Sequence, residues 1–304
     1  MIFPEKYWRI AKQLQKKKIA HSDLGSFDFS ESDLFNLNIG KRGGDFFLGY
    51  FSKEGVKIAL EKYGVYAELK NRGFHNVITD IDTSDPFKHK ITVFEGREDR
   101  KNMLIELVLR KSIIQVNMPY HTKHNGRSFQ SLTIDWLAMQ NPNGEFTPRR
   151  PRLPGQKFPG LGLSIIAAEL LMIICWRLKL EALVNFPGHY HNAYLYSKAF
   201  YYLDPLAQAK FLALRKTFKS FPLDKLSWGI DWGCVSDKNA NEPFTWIVSE
   251  QLAPMVDRLK KVFKDKKYEE FVKEKSKNFQ FTFNEEKYQE IKKKITVKSM
   301  EKVI

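Results

Sequence analysis

The chain has 304 residues, 43% hydrophobic and 14% aromatic, with 50 Lys and Arg against 35 Asp and Glu and a formal charge of +15. Such an aromatic load excludes an intrinsically disordered chain, and the length suits one elaborated domain or two modest ones. Two cysteines, Cys175 and Cys234, are too few and too far apart for a secreted disulfide framework, which points to a reducing compartment.

In chain order, Pro4–Ile19 predicts a first helix, with proline in the opening turn and Tyr7, Ile10, Ala11 and Leu14 on one face. Asp23–Arg42 is loop-rich, with a possible cap at Ser30 and Asp33, and Asp45–Phe51 reads as a short strand. Glu54–Arg72 predicts a helix stopped by Gly73. Alternating and β-branched residues then predict strands at Asn76–Asp82, Lys90–Glu95, Met103–Arg110 and Ser131–Met139. After a Pro- and Arg-rich loop, Asn141–Gly155, come an apolar helix at Gly162–Leu178, a strand at Glu181–Phe186, a helix at His191–Ala199 and a strand at Phe200–Leu203. Leu206–Phe218 predicts another helix, Trp228–Trp246 is turn-rich and aromatic, and Lys-rich helices follow Ser249. Strands before helices, then a βαβ-like unit, give a mixed α/β fold. Three segments are expected: 1–43 helical and loop, 44–205 the core, and 206–304 a C-terminal extension, aromatic and then helical.

The start, Met1-Ile2-Phe3-Pro4-Glu5-Lys6, has no apolar stretch of the signal-peptide kind, so a cytoplasmic location is expected. The most apolar run, Leu161–Trp176, contains Glu169 and falls short of the roughly 20 residues of a spanning helix, so no membrane partner is expected. From Val256 onward 15 Lys and Arg face 9 acids, less than half of the chain's excess, and they alternate as on a solvated helix face. Dispersed lysines of this kind give only weak, salt-sensitive nucleic-acid binding, not a specific one. The large apolar residues of 206–254 are expected to pack, so truncation before Leu206 should leave insoluble protein, whereas removal after about Lys277 should be tolerated. Trp228, Trp232 and Trp246 belong to that packing, and His121 and His124 read as surface loop residues.

The chemically informative segment is Lys157-Phe158-Pro159-Gly160-Leu161-Gly162, directly ahead of the apolar helix. Glycines at a helix entrance let backbone N–H groups approach an anion, and the partial positive charge of the helix start suits a diphosphate. The bland alternative is a tight turn. Arg149, Arg150 and Arg152, interleaved with prolines, either hold a further phosphate or acidic group or form a solvated basic loop. His189 and His191 form a His-x-His pair, two ligands without a third, which argues against a metal.

Further on the chain reads Asn192-Ala193-Tyr194-Leu195-Tyr196-Ser197-Lys198-Ala199-Phe200. With the glycine segment, this resembles the GNAT superfamily of acyl-CoA N-acyltransferases over residues 131–203. The family's pyrophosphate loop, Gln/Arg-x-x-Gly-x-Gly/Ala, is matched by Lys157, Gly160 and Gly162, with Leu161 between the glycines. Its later Asn and Leu-Tyr pair are matched by Asn192, Leu195 and Tyr196. Lys157 stands where the family has Gln or Arg, and Ala199 where it has glycine. The resemblance implies a mostly antiparallel sheet with flanking helices, and acetyl-CoA or another acyl-CoA as cosubstrate. It places pantetheine between two splayed strands, here Ser131–Met139 and Glu181–Phe186. Asn192 and Tyr196 then share a helix face toward the thioester, with Tyr196 as general acid on the CoA thiolate. The base for the amine is left open among Asp135, His189, His191 and a water relay, and Arg152 is a candidate for a CoA phosphate. The implied activity is acyl transfer to a primary amine of an unidentified acceptor. The alternatives are a non-catalytic acyl-CoA-binding module, or a transferase whose donor is an acyl carrier protein or aminoacyl-tRNA.

Overall fold

The alternating apolar residues between Val77 and Met139 fold as strands β1 (Val77–Asp82), β2 (His89–Glu95), β3 (Met103–Gln115) and β4 (Ser128–Met139). The computed structural model describes residues 9–11, 14, 46–238 and 242–300, with side chains to 295. Two units share the chain, and each is assembled from separate segments.

The first unit comprises Met1–Ile114, Ser128–Glu145 and Phe158–Val184. Its strands lie in the order β1-β2-β3-β4-β5, where β5 is Ala182–Asn185. β1 runs antiparallel to β2, and β2 to β3 with a register shift at Val93/Phe94. Gln140 N donates to Leu104 O (2.8 Å), while Ser112 Oγ meets Ser131 Oγ and Thr133 Oγ1, so β3 and β4 are antiparallel too. β5 starts beside the start of β4, where Glu181 N donates to Gln130 O (2.7 Å) and its carboxylate accepts from Gln130 N (3.1 Å). Val93, Leu104, Leu109 and Leu132 are fully buried and form the centre of this unit's core.

Among the described residues, the helices α1 (Lys53–Lys62), α2 (Val65–Lys70) and α3 (Ser164–Arg177) flank the sheet. The single helix expected over Glu54–Arg72 is two, because Gly64 adopts a left-handed conformation (φ +82°) between α1 and α2. Instead of the short strand expected at Asp45–Phe51, the described residues form a tight turn. Leu48 and Gly49 are both left-handed, and only Phe47 and Phe51 pair across it. The first expected helix, Pro4–Ile19, lies outside the described residues except Arg9–Ala11, which are helical, and Leu14. Ala11 packs there with Tyr63 and Ile173. Asp23–Arg42, with the cap expected at Ser30 and Asp33, lies wholly outside them.

The second unit comprises Gln115–Arg127, Phe146–Lys157 and Asn185–Ile304. Residues 185–205, which the sequence groups with the core, thus belong with the C-terminal segment. Its elements are α4 (Tyr190–Tyr196), β6 (Tyr201–Tyr202), α5 (Pro205–Thr217), α6 (Leu223–Asp231), β7 (Val235–Asp237), β8 (Glu242–Pro243), β9 (Gln251–Pro254), α7 (Asp257–Phe263), α8 (Lys266–Ser276), β10 (Phe281–Phe283) and α9 (Glu285–Met300). β6 and β9 pair antiparallel, and β10, β7 and β8 make a small antiparallel sheet. The chain is therefore mixed α/β with mostly antiparallel pairing. No helix among the described residues is long and apolar enough to cross a membrane.

Aromatic side chains dominate the second unit's core, among them Tyr190, Tyr202, Phe211, Phe218 and Phe281. The tryptophans pack as expected: Trp228 stacks on Trp232 (5.0 Å), and Trp246 Nε1 donates to Pro187 O (2.9 Å). Two expectations fail here. His124 is buried rather than on the surface. Its Nε2 lies 3.3 Å from Asp265 Oδ2, and burial lowers its pKa against the opposing pull of that carboxylate. Against the expectation for the chain after Lys277, Phe281 and Tyr288 are buried and Phe281 packs edge-on against Phe244 (5.2 Å). Phe281→Ala should cost about 3–5 kcal/mol in urea unfolding, and deletion of residues 278–304 should lower the melting temperature at least as much. Wild-type stability in the truncated protein would show that β10 is an appendage.

Candidate functional site

The glycine segment is built onto the end of β4. Asn141 N donates to Pro159 O (2.7 Å), Leu161 N donates to Met139 O (3.2 Å), and Gly160 bridges Gln140. Buried Leu161 and Leu163 anchor the segment, while Gly160 and Gly162 face solvent. Arg72 Nε donates to Leu161 O (2.7 Å), tying the loop to the residues after α2. Gly162 has φ +71°, which explains its identity, and a Cβ there would meet nothing within 4 Å. At Gly160 a Cβ would meet only Met139 O, at 3.7 Å.

Helix α3 starts immediately after these glycines. No side chain caps it, and its first turn carries no acid. The backbone N–H groups of that turn, which have no carbonyl partner within the helix, and the positive end of the helix dipole therefore face an open approach. A helix start of this kind is chemically compatible with an anion such as a phosphate. Asp135, also in the first unit, is already engaged. Arg110 Nε lies 2.9 and 3.2 Å from its two oxygens, and Lys88 Nζ is 3.7 Å away. A proton acceptor there would have to give up this ion pair.

The remaining site residues belong to the second unit. Lys157 is exposed, and Arg152 Nε donates to Gln156 O (2.7 Å). The backbone carbonyl of Arg152 accepts from Trp228 Nε1 (2.7 Å), so α6 braces this loop. His189 immediately precedes α4. Its Nδ1 lies 3.2 Å from Asp231 Oδ1 at the end of α6, and its ring stacks on His191 (5.5 Å between centroids). Its Nε2 points at Gly155, where a Cβ would come within 2.8 Å, so only glycine fits. A histidine oriented by a carboxylate through one nitrogen and partly exposed has the build of a general base. His191 differs: it is buried, its Nδ1 has no protein partner, and burial together with the neighbouring His189 lowers its pKa to about 4. No cluster of three metal-ligating side chains occurs among the described residues.

Asn192 N donates to His189 O (3.1 Å), and Tyr196 packs against Phe200 (5.5 Å). Both side chains are half-buried, and burial raises the Tyr196 pKa, so its phenol is protonated throughout the physiological range. The sequence reading missed two residues. Asp231 lies at the end of a nine-residue helix whose Trp- and Gly-containing sequence reads as turn-rich. Asn185 is buried at the end of β5 with neither amide atom bonded to protein, and a polar residue closing the run Ala182-Leu183-Val184 was the available signal.

No protein-family model matches the chain, and no curated protein matches it.

The state of His191 has a measurable consequence. Its folded pKa of about 4 lies below the ordinary 6.5, so the unfolded chain takes up the proton first as pH falls. Its contribution is complete above about pH 6.5 and is lost as pH drops toward 4. Between pH 7.5 and 4 the wild type should lose about 3 kcal/mol more unfolding free energy than His191→Phe. Equal losses in the two proteins would mean that His191 is charged in the fold.

Proposed function

We propose that the chain is an acyl-CoA-dependent N-acyltransferase of the GNAT type, acting in a reducing compartment on a primary amine. The observation that carries this reading is the uncapped start of α3 behind two exposed glycines, fastened to the end of β4 in the order that the family resemblance implies. The cysteines, both buried thiols, agree with the compartment.

Bound acyl-CoA would supply the activated thioester carbonyl. The backbone N–H groups at Gly162 and the first turn of α3 hold the diphosphate in this reading. Asn185 offers a buried amide donor and acceptor to amide groups of a ligand. The amine nitrogen bonds to the carbonyl carbon, the C–S bond breaks, and Tyr196 gives its proton to the departing sulfur. His189, oriented by Asp231, is the best-built acceptor for the ammonium proton; Asp135, held by Arg110, is the poorest. Tyr196 also favours an enzyme over a passive acyl-CoA binder, which has no need of a proton donor.

CoA should raise the melting temperature; at a hundred times its Kd the gain is about 2.7 kcal/mol. Gly160→Asp is the informative variant, because its Cβ meets no steric obstacle and only the carboxylate opposes the diphosphate. It should melt normally and lose the CoA shift, whereas Tyr196→Phe should keep the shift and slow transfer about a hundredfold or more. An undiminished shift in Gly160→Asp would remove the diphosphate from this loop.

A further inference from the structure

The two units share the charge of the chain very unequally. The second holds 28 of the 50 Lys and Arg but only 15 of the 35 acids, so it carries +13 of the net +15. Part of that excess is an ordinary solvated surface. On α6, α7, α8 and α9 the ammonium groups of Lys225, Lys260, Lys266 and Lys294 each lie 2.6–3.6 Å from a carboxylate.

Residues 146–157 are different. They include Arg149, Arg150, Arg152 and Lys157 and no acid. The three arginines are exposed, and none of them meets a carboxylate among the described residues. Asp231 is taken by His189, whose ring lies against Gly155 of this same segment. The segment is also ordered in advance. Arg150 N donates to Thr147 O (2.9 Å), Leu153 N donates to Gln156 Oε1 (3.0 Å), and Pro148, Pro151 and Pro154 fix the φ angles between them. Unpaired guanidinium groups are thus presented without the ordering cost that a loose basic tail meets on binding.

The other half of the surface is aromatic. Trp228 Nε1 donates to Arg152 O (2.7 Å), which sets its ring beside the arginines, and Trp232 stacks on it at 5.0 Å. Both indoles are only half-buried. Basic groups for a phosphate backbone next to a ring that can stack a base are the two elements of single-strand binding.

We propose that residues 146–157 and Trp228 form a binding surface for single-stranded nucleic acid, with the three arginines on backbone phosphates and the open part of the Trp228 ring against a base. Such contacts hold the backbone and a ring face, not a sequence. A lipid surface fits less well, because no large apolar side chain of the segment is exposed to anchor in it. The surface would serve whether or not the chain transfers acyl groups.

Fluorescence anisotropy tests it, with the full-length chain titrated, without CoA, into a labelled single strand of about 12 nucleotides. Arg149→Gln with Arg150→Gln should weaken binding and reduce the slope of log K against log salt by about 1.4. Lys266→Gln with Lys294→Gln removes the same charge from acid-paired lysines and should leave both quantities unchanged. Trp228→Leu should weaken binding about fivefold or more at an unaltered salt slope. Equal losses in the two double variants would mean that net charge alone attracts the strand, and would overturn the proposal. So would no binding at about 100 μM chain in about 50 mM salt, or tighter, arginine-dependent binding to phosphatidylserine vesicles.

Discussion

On leaving β4 at Met139 the chain makes a long excursion, then returns to the same strand end, where Asn141 N bonds Pro159 O and Leu161 N bonds Met139 O. Each bond contributes a net of only about 0.5–1.5 kcal/mol, but together with buried Leu161 and Leu163 they fix where α3 begins and which way its first turn faces. Ordering a loose loop around a ligand would cost about 1–2 kcal/mol for each residue fixed. Here that ordering is complete before any ligand arrives. The proposed diphosphate site is thus a property of the folded first unit, and every chemical role assigned downstream presupposes it.

Helix starts elsewhere in the chain show what is unusual about this one. Ser52, Asp204 and Asp265 accept backbone N–H bonds at the starts of α1, α5 and α8. Other helices also lack a side-chain cap, so an uncapped start alone means little. What distinguishes α3 is the pair of exposed glycines ahead of it and the absence of an acid in its first turn, which keep the approach clear of both bulk and negative charge. The second unit places its charges differently. There the Asp231 carboxylate orients His189, while the buried His191 beside it is held neutral.

Much of this was legible in the sequence because the responsible signals are local. The apolar run at 164–177, the alternation from Val77 to Met139 and the glycines ahead of α3 report their structures directly. The failures have specific causes. Gly64 sits inside a helical pattern that continues on both sides, so only its left-handed φ reveals the break between α1 and α2. Strand β9 is four residues long, too short for its alternation to stand out. His124 is polar and flanked by loop residues, and Asp265, which it meets when buried, is remote in sequence. The His189–Asp231 pair is equally non-local. Tertiary pairings of this kind carry no period, so the histidines were visible as candidates while the carboxylate that orients one of them was not.

Hydrogen exchange measured by mass spectrometry, with and without CoA, tests the central claim most directly, because it reads the backbone N–H groups that are said to hold the diphosphate. CoA should slow exchange in the peptide spanning residues 160–167, with the effect lost in Gly160→Asp. Unchanged exchange there, with CoA present at saturation or protecting a different segment, would contradict the account.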